Sequence, residues 1–430
     1  MSAEFAALAP LEPLMDKCVH CGFCLPTCPS YLLLGQEMAS PRGRIYLMRA
    51  GVDERVAMSD TFAGHFDTCL GCMACETACP SGVRYAPLVE HTRAVIERHH
   101  QRPWADRLFR LALFQVLPYP ARLRLLALPL AGVRFLRRFP GLTALLPLRL
   151  RNLLTLAPET PSGRAETAAF TPARGAQRKS IGFVTGCVQR VFFADVNAAT
   201  VRVLAAEGCD VFAPAAQGCC GALALHAGRD DDARAFARQL IAAFESLPDE
   251  VHEIVVNAAG CGSTMKTYGE LLADDPEWAG RASRFASRVR DVTETLASLA
   301  PQAARGPIQA RVGYHDACHL AHAQGVRAEP RALLQTIPGL TLVPLAEPDI
   351  CCGSAGIFNL VQPEMAATLG QRKAAHIADA GVDIVVTSNP GCILQIRAAA
   401  RHAGFAYRVL HIAELLDRSI AGGADVTPRD

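Results

Sequence analysis

The stretch Cys18-Val19-His20-Cys21-Gly22-Phe23-Cys24-Leu25-Pro26-Thr27-Cys28-Pro29 returns as Cys69-Leu70-Gly71-Cys72-Met73-Ala74-Cys75-Glu76-Thr77-Ala78-Cys79-Pro80. Both copies read C-x2-C-x2-C-x3-C-P, the spacing of 4Fe-4S clusters. Three cysteines on a tight turn reach three irons of one cube, and the proline keeps the fourth out of the local helix. In two-cluster proteins the fourth cysteine of each run serves the other cluster. The expected ligand sets are therefore Cys18, Cys21, Cys24 and Cys79 for one cube, and Cys69, Cys72, Cys75 and Cys28 for the other. Zinc favours separated pairs over a run of three with a distant fourth. A c-type haem needs C-x2-C-H, and Gly22 and Cys75-Glu76 leave no histidine in that place.

The 430 residues allow two to four domains, and half of them are apolar, enough for a core in each. A formal net charge of +2 gives no support to nucleic-acid binding. Met1–Lys17 carries acids and no basic leader segment, so the 17 cysteines point to a reducing cytoplasm rather than to secreted disulfides. No uncharged apolar run approaches the roughly 18–20 residues of a spanning helix.

Residues 1–101 read as a helical ferredoxin domain. Ser40 is the expected N-cap of a helix with Pro41 in its first turn. Arg42 and Arg44 on that helix either tune the clusters or form a solvated face. Residues 102–179 form a connector. From Arg102 to Leu156 it holds ten arginines, one aspartate and many leucines. That pattern suits either an anionic membrane surface or short helices packed on the chain's own core. Ala157–Lys179 reads as a linker.

From Ser180 strands and helices alternate, and the pattern repeats, giving modules over 180–300 and 301–430. Cys187 to Cys219 spans 32 residues and Cys318 to Cys351 spans 33; Cys220 to Cys261 spans 41 and Cys352 to Cys392 spans 40. The fold class is α+β: a helical two-cluster ferredoxin followed by a duplicated α/β module. Val409–Arg418 reads as a closing helix. The module cysteines fall at the carboxyl ends of expected strands, the edge where open α/β sheets bind ligands. Cys187, Cys219, Cys220 and Cys261 should converge in one copy, and Cys318, Cys351, Cys352 and Cys392 in the other. Metal or cluster binding is the first reading; a redox dithiol and purely structural cysteines are the others. His315, His319 and His322 flank Cys318 and either assist or are simply solvated. Cys209 has no counterpart and reads as a buried structural thiol.

Two ferredoxin runs joined to two Cys-Cys-Gly modules resemble the iron–sulfur subunits of flavin-linked oxidoreductases of the heterodisulfide reductase, anaerobic glycerol-3-phosphate dehydrogenase and glycolate oxidase types. The last is the nearest resemblance. It is carried by Cys18–Cys24, Gly35, Pro41-Arg42-Gly43-Arg44-Ile45-Tyr46-Leu47, Cys79–Tyr85, Gly218-Cys219-Cys220-Gly221-Ala222 and Cys351-Cys352-Gly353-Ser354-Ala355-Gly356. The heterodisulfide reductase type ends each module in C-x2-C, whereas here Thr264 and Gln395 replace the last cysteine. A different cluster, a zinc ion or no metal therefore stays open for the modules. No G-x-G-x-x-G occurs, so FAD is expected in a partner. The resemblance implies an electron-transfer subunit of a glycolate-oxidising complex with FAD-binding partner subunits, a quinone or other membrane acceptor, and a place on the inner face of the cell membrane. A lactate or glycerol-3-phosphate complex, or disulfide reduction, are the alternatives it leaves.

Overall fold

The computed structural model describes residues 4–126, 146–157 and 167–423. The middle of the arginine-rich connector and residues 158–166 of the expected linker lie outside the described residues.

The amino-terminal part is helical. Ser40 caps the helix Pro41–Val52 by accepting from the Gly43 amide at 3.0 Å, with proline in its first turn as the sequence requires. The helix Tyr85–His99 packs across the same core with Leu88, Val89 and Val95, where Phe5, Leu8, Met48 and Phe66 are also buried.

Two mainly parallel sheets follow. The first contains β1 (Phe170–Thr171), β2 (Lys179–Val184), β3 (Cys209–Phe212), β4 (Val251–Val256) and β5 (Val289–Asp291), in the order β1-β3-β2-β4-β5. The second contains β6 (Ala310–Tyr314), β7 (Leu340–Val343), β8 (Ile384–Thr387) and β9 (Arg408–His411), in the order β7-β6-β8-β9. Setting aside β1, each sheet runs second strand, first, third, fourth, all parallel. The duplication read from cysteine spacing is a duplication of topology. The inner strands β4 and β8 carry the buried apolar runs Ile254-Val255-Val256 and Ile384-Val385-Val386, as helices covering both faces require. Ile181, Phe183 and Val255 of the first sheet share one core with Val312, Ile384 and Val386 of the second.

Three local readings need correction. Phe170–Thr171, expected as linker, pairs antiparallel with β3 and closes that edge. Val409 does not open a helix: Arg408–His411 is a strand beside β8, and the helix begins at Ile412. Cys261 and Cys392 do not end strands; they lie in the first turn of the helices Ala259–Lys266 and Pro390–Ala403. Cys209 starts β3 deep in the shared core, and burial pushes its thiol up to about 12.

Among the described residues no helix is long and apolar enough to cross a membrane. The described ends of the connector pack on the second module: Leu113 and Phe114 of the helix Trp104–Val116 meet Ile357 and Leu360, and Leu153 and Leu156 join them. Trp104, Leu108 and Leu111 stay exposed along one face of that helix.

Candidate metal centres

Each ferredoxin run folds into the same backbone cradle. Two residues after the first cysteine stand His20 (φ 54°) and Gly71 (φ 63°); two further on stand Gly22 (φ 88°) and Met73 (φ 62°). Left-handed residues at alternate positions turn successive N–H groups inward, as anion-binding nests do. The Gly71 amide donates to Cys69 Sγ at 3.4 Å and the Val83 amide to Cys79 Sγ at 3.5 Å.

The cysteines group crosswise. Burial raises the Cys18 thiol, and neighbouring Cys79 and Cys21 raise it further. Burial raises Cys75, with Cys72, Cys69 and Cys28 adding to it. Cys79 thus stands beside the first run and Cys28 beside the second.

Arg44 marks the second set. It is fully buried, donating from Nε to the His65 carbonyl at 2.6 Å and from Nη2 to Ser30 Oγ at 3.0 Å and Thr68 Oγ1 at 3.1 Å. Among the described residues its Nη1 is buried with no hydrogen-bond partner, and no carboxylate accepts from it. An uncompensated buried cation is costly. The groups that favour its charge are Cys69, Tyr85 and Cys28, two of them expected cluster ligands, so the site fits a negatively charged cluster held by those thiolates. Burial alone would raise Cys69, yet Arg44 and Arg93 hold it below its ordinary value. Arg42 is different: a surface residue paired with Glu37 at 2.6 Å, it donates to the His20 carbonyl at 2.8 Å and so braces the first cradle.

In the first module Cys187 and Cys219 lie 3.5 Å apart, sulfur to sulfur, in the loops after β2 and β3. Hydrogen bonds from Cys219 and Cys261 hold the Cys220 thiol far below its usual value. The Tyr268 hydroxyl donates to the Cys220 carbonyl at 2.7 Å. Gly221 (φ 79°) and Gly353 (φ 90°) turn the chain directly after each cysteine pair. A Cβ at Gly353 would stand 2.7 Å from the Ala366 carbonyl oxygen, so no other residue fits.

The second module repeats the arrangement. Hydrogen bonds from Cys351 and Cys392 hold Cys352 low, and Cys351 does the same for Cys318. Here nitrogen joins sulfur. A ring nitrogen of His315, Cys352 Sγ and Cys392 Sγ all lie within 4.8 Å of one another, and all three residues are buried. His319 Nδ1 stands 3.8 Å from Cys318 Sγ, and its ring lies 4.9 Å from that of His226. His322 faces elsewhere, to Thr77 Oγ1 at 3.0 Å and the Asp349 carbonyl at 3.2 Å. Lys373, also buried, bonds the Glu347 carbonyl and lies near Cys351 and Cys352; burial lowers its ammonium. Sequence reasoning left Lys373 out, and nothing in the pattern of the helix Pro363–Asp379 could have flagged it.

The second ferredoxin run touches the second module directly. Leu70, Cys72 and Ala74 pack in one cluster with Cys318, Cys351 and Phe358. After burial, Cys318 is the strongest influence raising the Cys72 thiol. The first module meets the ferredoxin part through polar contacts: Arg93 donates to the His226 carbonyl at 2.9 Å, and His226 Nδ1 lies 3.1 Å from Glu90 Oε1.

Comparison with known proteins places this arrangement. Residues 14–83 match a 4Fe-4S dicluster domain, and residues 181–266 and 312–397 each match the Cysteine-rich domain. The chain is 36% identical over 421 residues to the "Probable glycolate oxidase iron-sulfur subunit" of Bacillus subtilis strain 168, covering 93% of each chain. It is 34% identical over 412 residues to the "Glycolate oxidase iron-sulfur subunit" of Escherichia coli K12, covering 95% of each. Lactate utilization protein A of Oceanobacillus iheyensis is 33% identical over 243 residues, 56% of this chain and 97% of that protein. A crystal structure of a hypothetical protein from Helicobacter pylori shares the fold at 8% identity, with a TM-score of 0.54 over 98% of this chain and 77% of the other. With its dicluster ferredoxin part and duplicated cysteine-rich modules, the chain belongs to the glycolate oxidase iron–sulfur subunit family.

Proposed function

We propose that this chain carries electrons from a flavoprotein partner that oxidises glycolate to glyoxylate on to a membrane acceptor of the quinone class. The observation that carries the reading is the packing of Cys72 against Cys318 and Cys351, which puts a ferredoxin ligand and two module cysteines in one buried cluster. A chain that only stored iron would have no need to join the two sets. We assign Cys18, Cys21, Cys24 and Cys79 to one cube, Cys69, Cys72, Cys75 and Cys28 to the other, and the eight module cysteines to second-site metal binding. When bound, 4Fe-4S clusters accept and release single electrons at potentials set by charge, hydrogen bonds to sulfur and burial. The protein's own part is that setting. Arg44 places an unshared cation beside Cys69 and Cys28, the Gly71 amide bonds Cys69 Sγ, and the apolar residues Leu70 and Phe358 keep water from the junction.

Hydride removal from a 2-hydroxy acid needs a two-electron acceptor, which a flavin supplies and a cysteine-only chain does not. The exposed stripe Trp104, Leu108 and Leu111 is suited to the partner or to the cytoplasmic membrane surface, where the acceptor lies. A lactate-oxidising complex is the second reading, favoured by the relative named for lactate utilization, which matches 56% of this chain.

The test is co-purification from the native host under anaerobic conditions, followed by addition of glycolate or lactate. Glycolate should reduce the clusters, seen as low-temperature paramagnetic resonance, only when the flavoprotein is present. Reduction by lactate and not by glycolate would move the assignment to the second reading. Reduction of the isolated chain by glycolate would overturn both.

A further inference from the structure

The two modules differ at one position that bears directly on what their thiols hold. Three residues before the first cysteine stands Val184 in one copy and His315 in the other. Val184 is an ordinary core residue, packed with Cys220, Leu240 and Ile254. His315 is equally buried, with no exposed surface, and directly follows strand β6, whereas Val184 is the last residue of β2.

The ring is held for one purpose. Its Nδ1 lies 3.0 Å from the Pro348 carbonyl. A carbonyl only accepts, so Nδ1 carries the proton and Nε2 presents its lone pair. That Nε2 is buried without a hydrogen-bond partner among the described residues. A ring nitrogen of His315 lies within 4.8 Å of both Cys352 Sγ and Cys392 Sγ, and with Nδ1 given to the Pro348 carbonyl it is Nε2 that is free to meet them. An orphaned buried acceptor is destabilising unless something fills it. Imidazoles that ligate metals almost always donate the other ring N–H to a carbonyl or carboxylate, which fixes ring and tautomer. The His315–Pro348 bond is that support. Asn389 adds a second one, donating from Nδ2 to Cys392 Sγ at 3.4 Å.

We propose that the second module holds a mixed nitrogen–sulfur metal centre in which His315 Nε2 is a ligand beside Cys352 and Cys392, at the place where the first module has the apolar Val184. The proposal rests on the reading of the module cysteines as metal ligands and adds a donor to it. The metal is one that accepts both thiolate and imidazole in a closed site, either zinc or an iron of a cluster. Cys351 and Cys318 stand near enough to Cys352 to complete the set.

The experiment uses the full chain purified anaerobically, analysed for iron and zinc, with X-ray absorption at both metal edges. Paramagnetic resonance is recorded on protein carrying natural or nitrogen-15 histidine. For zinc the proposal expects one nitrogen at about 2.0–2.1 Å with sulfurs at about 2.3 Å. For iron it expects a nitrogen coupling that changes on histidine labelling. In His315→Ala that nitrogen signal disappears while the ferredoxin resonances persist, showing that the fold survives. In His315→Cys the metal returns with sulfur in place of nitrogen. His319→Ala leaves the nitrogen signal intact. Metal present with an all-sulfur shell and no histidine coupling would overturn the proposal alone. No metal beyond the ferredoxin iron would overturn it together with the module reading. A nitrogen signal that survives in His315→Ala would also refute it.

Discussion

The two cysteine-rich modules share strand order and cysteine spacing, yet their thiols sit in different company. In the first, Val184 and Val188 flank the leading cysteine and Tyr268 backs the cysteine pair. In the second, His315 and His319 take the valines' places, and a buried Lys373 lies beyond. The first meets the ferredoxin part through arginine and histidine, the second by packing its cysteines against Cys72. One copy thus sets its cysteines against the ferredoxin run, and the other meets the ferredoxin part through side-chain hydrogen bonds.

That difference predicts unequal costs. Cys318→Ala and Cys351→Ala should reduce glycolate-driven electron delivery by the reconstituted complex far more than Cys187→Ala and Cys219→Ala. The gap should be at least tenfold, corresponding to ~1.4 kcal/mol in barrier. The measurement is steady-state turnover with an artificial quinone, each variant checked for ferredoxin iron. Equal losses in the two modules would erase the functional asymmetry.

Much of this was legible in the chain and some was not, for physical reasons. Metal ligation fixes spacing, so the cluster runs and the paired cysteines could be read directly. Buried parallel strands leave apolar runs, so three strands of each sheet were legible too; Val289–Asp291, only three residues long, was not. The strand Arg408–His411 was not, because four residues leading straight into an amphipathic helix share its pattern. Arg44 and Arg42 stand two residues apart on one helix and look alike in sequence. Only partners brought from Ser30, His65 and Thr68 decide that one is buried. His315 carried a weak signal in its distance from Cys318. What separates it from a solvated histidine is the carbonyl of Pro348, supplied by a distant loop.

The ferredoxin side sharpens the comparison. Arg44 faces the run that touches the second module, and Arg42 braces the other run from the surface. Removing one partner of a buried charge pair costs about 3–5 kcal/mol, and exposed pairs contribute about 0–1 kcal/mol. Arg44→Met should therefore destabilise the cluster-bearing protein by about 3–5 kcal/mol in urea unfolding. It should also lower iron content toward a single cube and silence the second module. Arg42→Met should leave stability within about 1 kcal/mol. Matching losses would mean that the buried cation has no special tie to the second run.

The smallest effect lies at the fourth strand of each module, where equivalent helices begin with opposite acid–base chemistry. Asp291 caps Val292–Ser298, and His411 caps Ile412–Ile420, each reinforced by a glutamate three residues on. Burial raises Asp291 to about 6. Burial lowers His411 to about 4, and its Nδ1 accepts from the Ala413 amide at 3.1 Å while Nε2 donates to the Asn257 carbonyl at 2.8 Å. For Asp291 the folded state binds the proton more tightly than the unfolded one, so its contribution is present at low pH and is lost as pH rises through about 6. For His411 the unfolded state binds the proton more tightly, so stability falls as pH drops from about 6.5 toward 4. The two slopes oppose each other and largely cancel in the intact protein. Asp291→Asn should expose the histidine slope, making the protein about 1–2 kcal/mol more stable at pH 7 than at pH 5 relative to the parent. His411→Asn should show a shift of similar size and opposite sign, because only the aspartate slope remains. Urea midpoints at the two pH values measure both. Slopes of the same sign would show that the two caps do not carry the buried charge states their surroundings impose.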